Sequence, residues 1–133
     1  MIHLDTNLLV DLATRGSPGG RLVLGWLESG AKIGTSAIAW SEFCNGPLTA
    51  RQKEAVLGAL DRQICDFTWR EAEAASRIFN LSGRRRGSHA DCMIAATAMR
   101  AGVPLATFNT AGFSLLVPYG LVLEPVPRSS GVA

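Results

Sequence analysis

The sequence of 133 residues is short of the residues that crosslink or anchor a chain. It has three cysteines, Cys44, Cys65 and Cys92. An odd number with no C-x-x-C spacing excludes a disulfide framework and a cysteine zinc site. All three read as small buried hydrophobes. Lysine is scarce too: Lys32 and Lys53 are the only two, so eleven of the thirteen Lys+Arg are arginine. No apolar run approaches the ~20 residues of a membrane span. No G-K-[ST] segment is present, which excludes a P-loop nucleotide enzyme. The opening Met1-Ile2-His3-Leu4-Asp5 lacks the basic n-region of a secretory signal, and an acid arrives at position 5. The expectation is a cytoplasmic protein with no membrane partner.

Hydrophobic residues at 47% and charged residues at 18% exclude intrinsic disorder. The length suits one domain, which buries roughly two thirds of its unfolded surface and needs no staple. Thirteen basic against eleven acidic residues leave a net charge of +2, which says little about partners. The kind of base says more. Three arginines form one run, Arg84-Arg85-Arg86, and the guanidinium suits bidentate phosphate contacts. A GC-rich genome produces the same arginine excess.

Short apolar runs alternate with helical patterns. Strands are expected at 2–4, 32–35, 64–67, 105–107 and 121–123. Helices are expected at 6–13, 21–28, 36–45, from a Thr49 cap to 60, from a Thr68 cap to about 82, and from Ser88 to 101. Thr68 and Glu71 stand in a capping-box arrangement. Residues 15–20 (RGSPGG) read as a break. Alternation of this kind implies parallel pairing, hence an α/β three-layer sandwich with a central, mostly parallel sheet. One domain is expected over 1–124, with a loose tail over 125–133. In such sheets ligands collect at the C-terminal ends of the strands.

Most acids fall on wet helix faces; Glu54, Asp61, Glu71 and Glu73 are given no role. Three others keep apolar company. Asp5 ends the first strand, Glu42 lies inside AIAWSEF, and Asp91 heads HADCMIAA. A carboxylate in apolar surroundings is costly unless paired, hydrogen-bonded or metal-bound. Converging at strand ends, the three would make an oxygen site for Mg²⁺ or Mn²⁺. Each has a plainer explanation. Asp5 can cap the helix at 6, Asp91 can form a capping box with Ser88, and Glu42 can snorkel from a helix edge. Glu42 discriminates, since no cap explains it. His3 reads as a packed strand residue and His89 as a first-turn helix residue. Trp26, Trp40 and Trp69 fall on apolar stripes and read as core or dimer interface.

On these residues the sequence resembles the PIN-domain ribonucleases, and among them the VapC-type toxins of bacterial toxin–antitoxin pairs. The likeness rests on four motifs in order: Ile2-His3-Leu4-Asp5-Thr6-Asn7; Thr35-Ser36 with Trp40-Ser41-Glu42-Phe43; Asp91-Cys92-Met93-Ile94-Ala95-Ala96-Thr97-Ala98; and Leu105-Ala106-Thr107-Phe108-Asn109 leading to Gly112-Phe113. It runs from Met1 to about Leu123. The resemblance implies that Asp5, Glu42 and Asp91 bind one or two Mg²⁺ or Mn²⁺ ions and are catalytic. It implies that Thr6 helps through its hydroxyl and that Asn109 lies beside the site. It also implies RNA as substrate, a VapB-like antitoxin as partner, and a homodimer. One departure stands out. The family usually carries a fourth acid just before the Phe of the last motif, where this chain has Gly112. One well-held metal position near Asp5 and Asp91 is then expected, with a second that fills only when RNA supplies oxygens.

The arginine run precedes the helix bearing Asp91, so Arg84, Arg85 and Arg86 are candidate contacts to RNA or to the antitoxin. Two rivals remain. A haloacid-dehalogenase-like phosphatase needs a second Asp two residues after the first, where Asn7 stands. A PIN-like domain that only binds RNA or protein would suit the missing fourth acid, but gives no reason to keep Glu42 in an apolar helix.

Overall fold

The computed structural model describes residues 1–127. Four short strands, β1 (Ile2–Leu4), β2 (Ile33–Ser36), β3 (Ile64–Cys65) and β4 (Leu105–Ala106), form one parallel sheet in the order β3-β2-β1-β4. Seven helices complete the described fold: α1 (Thr6–Ala13), α2 (Pro18–Glu28), α3 (Ala37–Cys44), α4 (Ala50–Ala59), α5 (Trp69–Leu81), α6 (His89–Ala101) and α7 (Thr110–Ser114). From β1 the chain steps to β2 and then β3 in one direction, and returns past β1 to β4. Right-handed crossovers therefore put α1–α4 on one face of the sheet and α5 and α6 on the other. The α/β sandwich anticipated from the alternation is the one observed. The order reverses between β1 and β4, so a crevice opens at their C-terminal ends.

The sheet is buried on both faces, as parallel sheets are. Every residue of β1 and β2 is buried. Leu4, Leu8, Leu9, Ile33, Phe43, Ile94, Leu105 and Phe113 are among the side chains fully shielded in the core. Burying each such side chain contributes about 1.5–3 kcal/mol before chain entropy is counted. His3 goes in with them. Its Nδ1 has no hydrogen-bond partner, and burial pulls the imidazole down to about 4, so it packs as a neutral ring.

Several boundaries differ from the sequence reading. Residues 18–20 are not a break but the first turn of α2. Ser17 caps it through Gly20 N–H at 3.0 Å, and Pro18 sits in the first turn, where its missing N–H costs nothing. The expected fifth strand is only a single parallel bridge, Leu105 to Leu123. Helix α7 and a 3₁₀ turn at Val117–Tyr119 were not expected. Glu71 is not on a wet face: it is buried at 8% exposure, caps α5 and pairs with Arg100 Nε on α6 at 2.5 Å. Trp69 is 63% exposed, with the Arg70 guanidinium 4.5 Å from its ring, and is not core. Cys44 is exposed, whereas Cys92 is buried. Of the tail, Val126 packs on the core; residues 128–133 lie outside the described part.

Candidate active site

Asp5 is the first residue after β1 and the N-cap of α1. Its Oδ1 accepts from the Thr6 N–H at 2.8 Å, so the capping role is real. Its Oδ2 does something a cap does not need. It accepts from the Thr107 hydroxyl at 2.7 Å and from Asn7 Nδ2 at 3.4 Å. Thr107 follows β4, so this bond crosses the crevice where the strand order reverses. Asp5 is only 6% exposed, and burial raises its carboxyl above the ordinary range. Bonds from Thr107 and Thr6 pull the other way, and Glu42 adds repulsion.

Glu42 stands near the end of α3, the helix that Ser36 launches from the tip of β2 by accepting from Ala39 N–H at 3.0 Å. The residue is exposed rather than sunk among apolar side chains. Yet it is turned to the site: its Oε1 accepts from the Thr6 hydroxyl at 2.7 Å. Thr6 thus ties the first acid to the second, by its N–H to Asp5 and its hydroxyl to Glu42.

Asp91 lies in the first turn of α6. The capping box that would explain it does not form. Ser88 makes no side-chain cap bond; its hydroxyl donates instead to the Arg85 carbonyl at 2.8 Å. Half-buried, Asp91 is pushed up to about 6, first by burial and then by Asp5 and Glu42, with Arg85 opposing. Like charges disfavour the ionised form of a neighbour, and Asp5 and Glu42 both act on Asp91 in this way.

The candidate supporting residues separate. Asn109 does not touch an acid. It caps α7 through Gly112 N–H at 3.3 Å, and its own N–H donates to the Thr107 hydroxyl at 2.9 Å. Thr107 and Asn7, which the sequence reading passed over, hold Asp5 directly. Asn7 also accepts from the Phe108 N–H at 3.3 Å, lashing α1 to the strand end. The available signal was a polar pair, each two residues from a motif residue at a strand tip. Arg84 is turned back on α5, over the Phe79 ring and bonded to Asn80. Arg85 is half-buried and Arg86 exposed.

The donor set is oxygen only, three carboxylates and hydroxyls, which suits a hard divalent cation. Among the described residues no three His, Cys, Asp or Glu side chains close into a cage around one point. The expectation that all three acids reach one ion is therefore not met by the side chains as they stand. What fits is an open site, with one or two carboxylates on the ion and water or phosphate oxygens completing it. Mg²⁺ is commonly held in that way.

The chain belongs to the PIN domain family, whose model matches residues 2–115. Several solved chains share its fold. FitAcB from Neisseria gonorrhoeae is 26% identical, with 94% of this chain and 98% of that one covered and a TM-score of 0.69. A toxin–antitoxin complex from Klebsiella pneumoniae is 24% identical over 86% and 91%, with a TM-score of 0.68. VapBC2 from Rickettsia felis, bound to a DNA fragment from its promoter, is 22% identical over 96% and 100%, with a TM-score of 0.72. The shared fold agrees with the PIN-type motifs of the sequence. No curated protein matches the chain. No described helix is long and apolar enough to cross a membrane.

Proposed function

We propose that the protein is a divalent-metal-dependent endoribonuclease and the toxin of a type II toxin–antitoxin pair. The observation that carries this reading is the buried Asp5 at the tip of β1, held by the Thr107 hydroxyl from the end of β4 and linked through Thr6 to Glu42. Arg85 is the cation whose charge opposes the repulsion at Asp91. Membership of the PIN family and the toxin–antitoxin neighbours support it.

Asp5 and Asp91 would hold Mg²⁺ or Mn²⁺, with Glu42 completing the acid rim. Bound there, the ion would supply a Lewis acid and an acidified water. The residues do the rest. Thr6 and Thr107 fix the Asp5 oxygens by hydrogen bonds of 2.8 and 2.7 Å, so the ligand does not have to be ordered when substrate arrives. Asp91, raised to about 6 by burial and by the charges of Asp5 and Glu42, stands where a cation would relieve that repulsion. Arg86, exposed beside α6, is placed to meet the RNA backbone. A VapB-like antitoxin, a homodimer and a cytoplasmic setting belong to the same reading.

The test is cleavage of a structured RNA by purified protein. Cleavage that appears with Mg²⁺ or Mn²⁺ and stops with EDTA is expected. RNA binding with no cleavage under any divalent ion would favour a binding-only PIN domain and overturn the enzyme.

A further inference from the structure

Helix α5 turns one face to solvent, and that face is unusual in what it leaves uncovered. Trp69, in the first turn, is 63% exposed, more than any other large hydrophobic side chain among the described residues. An indole left in water forgoes the burial that aromatic side chains usually obtain. The Arg70 guanidinium lies 4.5 Å from the ring centre, so ring and cation form one unit.

Seven residues on, nearly two turns, Arg77 returns to the same side and is exposed. Arg84 follows at the next seven-residue step, beyond the helix end. Its backbone is left-handed, with φ 53°, and its guanidinium lies back over the Phe79 ring, 5.3 Å from the centre, bonded to Asn80. Neither these three arginines nor the exposed Arg86 forms an ion pair among the described residues. Of the two acids in α5, Glu71 is buried and paired with Arg100, which leaves Glu73 as the one acid on the exposed side.

The row has a direction. Glu71 in the first turn of α5 pairs with Arg100 in the last turn of α6. The Phe79 ring near the end of α5 meets His89 at the start of α6 edge-on, with centres 5.4 Å apart. The two helices are therefore antiparallel. The row that starts at Trp69 ends beside the first turn of α6, which carries Asp91. The thirteen residues of α5 span about 20 Å.

We propose that this face of α5, from Trp69 and Arg70 past Arg77 to Arg84 and Arg86, is a second RNA-binding surface. It lies apart from the acids, holds the flank of a single-stranded substrate and leads the strand to them. The proposal deepens the ribonuclease reading above and rests on it for the strand's destination. The arginines match phosphates in charge and geometry. Trp69 offers a π-face to an unpaired base, a contact that every base can make. Bases stacked in a duplex cannot use the indole, so the occupant is a single strand.

The test measures binding of a fluorescein-labelled, mixed-sequence single-stranded RNA of about 15 nucleotides. The whole protein is used, over a salt series in EDTA, which keeps divalent ions from the acids. Steady-state cleavage of the same RNA with Mn²⁺ is followed in parallel. Trp69→Ala is expected to weaken binding about tenfold, the stacking of one base, and Trp69→Phe to restore most of it. Arg70→Gln combined with Arg77→Gln should lower the slope of log K against log salt by about 1.4, two phosphates' worth for a single strand. Both changes should raise KM and leave kcat as it is. All three positions are exposed, so the variants should fold, as circular dichroism checks. Wild-type affinity and slope in the folded variants overturn the surface, and the ribonuclease reading stands if they still cleave. A fall in kcat with KM unchanged overturns it too, as does duplex DNA bound as tightly as the RNA. A dimer that falls to monomer in Trp69→Ala with RNA affinity unchanged assigns the face to a second copy of this chain and overturns the proposal. A wild type that binds RNA through these residues but cleaves nothing removes the ribonuclease reading and leaves the surface standing.

Discussion

At Asp5 both carboxylate oxygens already carry hydrogen bonds, and that fixes what single substitutions should do. Thr107 donates to Oδ2 at 2.7 Å and accepts from the Asn109 N–H at 2.9 Å, so it serves the acid and the turn into α7 together. Thr107→Val keeps the shape and deletes both bonds. Activity should fall about 10–100-fold, the usual range for a residue that orients a ligand. Stability should drop by about 1–3 kcal/mol for the Asn109 N–H left unpaired. Thr107→Ser should recover most of both, as read by cleavage rates and urea unfolding.

Gly112, where the resemblance to the family implies an acid, has no positive φ, so its backbone accepts a side chain. The obstacle is Asn109. A Cβ at 112 would lie 2.8 Å from Asn109 Nδ2, the end of a flexible side chain that also caps α7. Gly112→Asp should therefore fold, cost about 0.5–2 kcal/mol through the disturbed cap, and tighten Mn²⁺ binding. An unchanged Mn²⁺ titration in a folded variant would show that the missing acid does not limit the site. Asp5 stood out in the sequence because a carboxylate beside apolar residues is anomalous in one dimension, and it is buried; Glu42 stood out on the same ground, yet it is exposed. Thr107 and Asn7 did not, because a threonine or asparagine at a strand tip looks like any turn residue until the partner strand is known.

Among the elements, the pair α5 and α6 depends on a residue that the sequence presented as surface. Glu71 accepts from the Thr68 N–H and hydroxyl at the start of α5 and from Arg100 on α6. The Thr68 hydroxyl, then Arg100, hold its carboxyl down at about 2, outweighing the cost of burial. The unfolded value is 4.5. A depressed folded value means that this contribution is complete above about pH 4.5 and is lost as the pH falls toward 2. Glu71→Gln should therefore be less stable than wild type by about 1–2 kcal/mol at pH 7. The gap should narrow steadily between pH 4.5 and 2 in urea unfolding. A gap independent of pH would mean that the charge contributes nothing. The capping box itself was readable at 68 and 71; that Arg100, 29 residues on, closes over it was not. The helix starts at Ser17 and Thr49 follow side-chain caps. Thr49 is legible as a cap, whereas the Pro-Gly-Gly after Ser17 looks like a break, because those residues usually end elements. Gly19 and Gly20 are instead required by packing: a Cβ at Gly19 would come within 2.5 Å of Asp11 Oδ2, and one at Gly20 within 2.8 Å of the Asp11 carbonyl.

For the whole molecule, the order β3-β2-β1-β4 is what turns scattered residues into a site. Asp5 and Thr107 are 102 positions apart and hydrogen-bonded, because β1 and β4 are neighbours at the reversal. The alternation of strands and helices announced a parallel sheet, but not which strands would be adjacent. The central claim is that Asp5, supported in this crevice, holds the divalent ion that cleavage requires. The most direct test is single-turnover cleavage of one labelled RNA across a Mn²⁺ series, by wild type and Asp5→Asn, with circular dichroism and Tm recorded on both. The account predicts saturable, EDTA-sensitive cleavage by wild type. It predicts a folded Asp5→Asn protein whose cleavage stays at the buffer level at every Mn²⁺ concentration. Wild-type rates in Asp5→Asn, or cleavage by wild type that persists in EDTA, would contradict it.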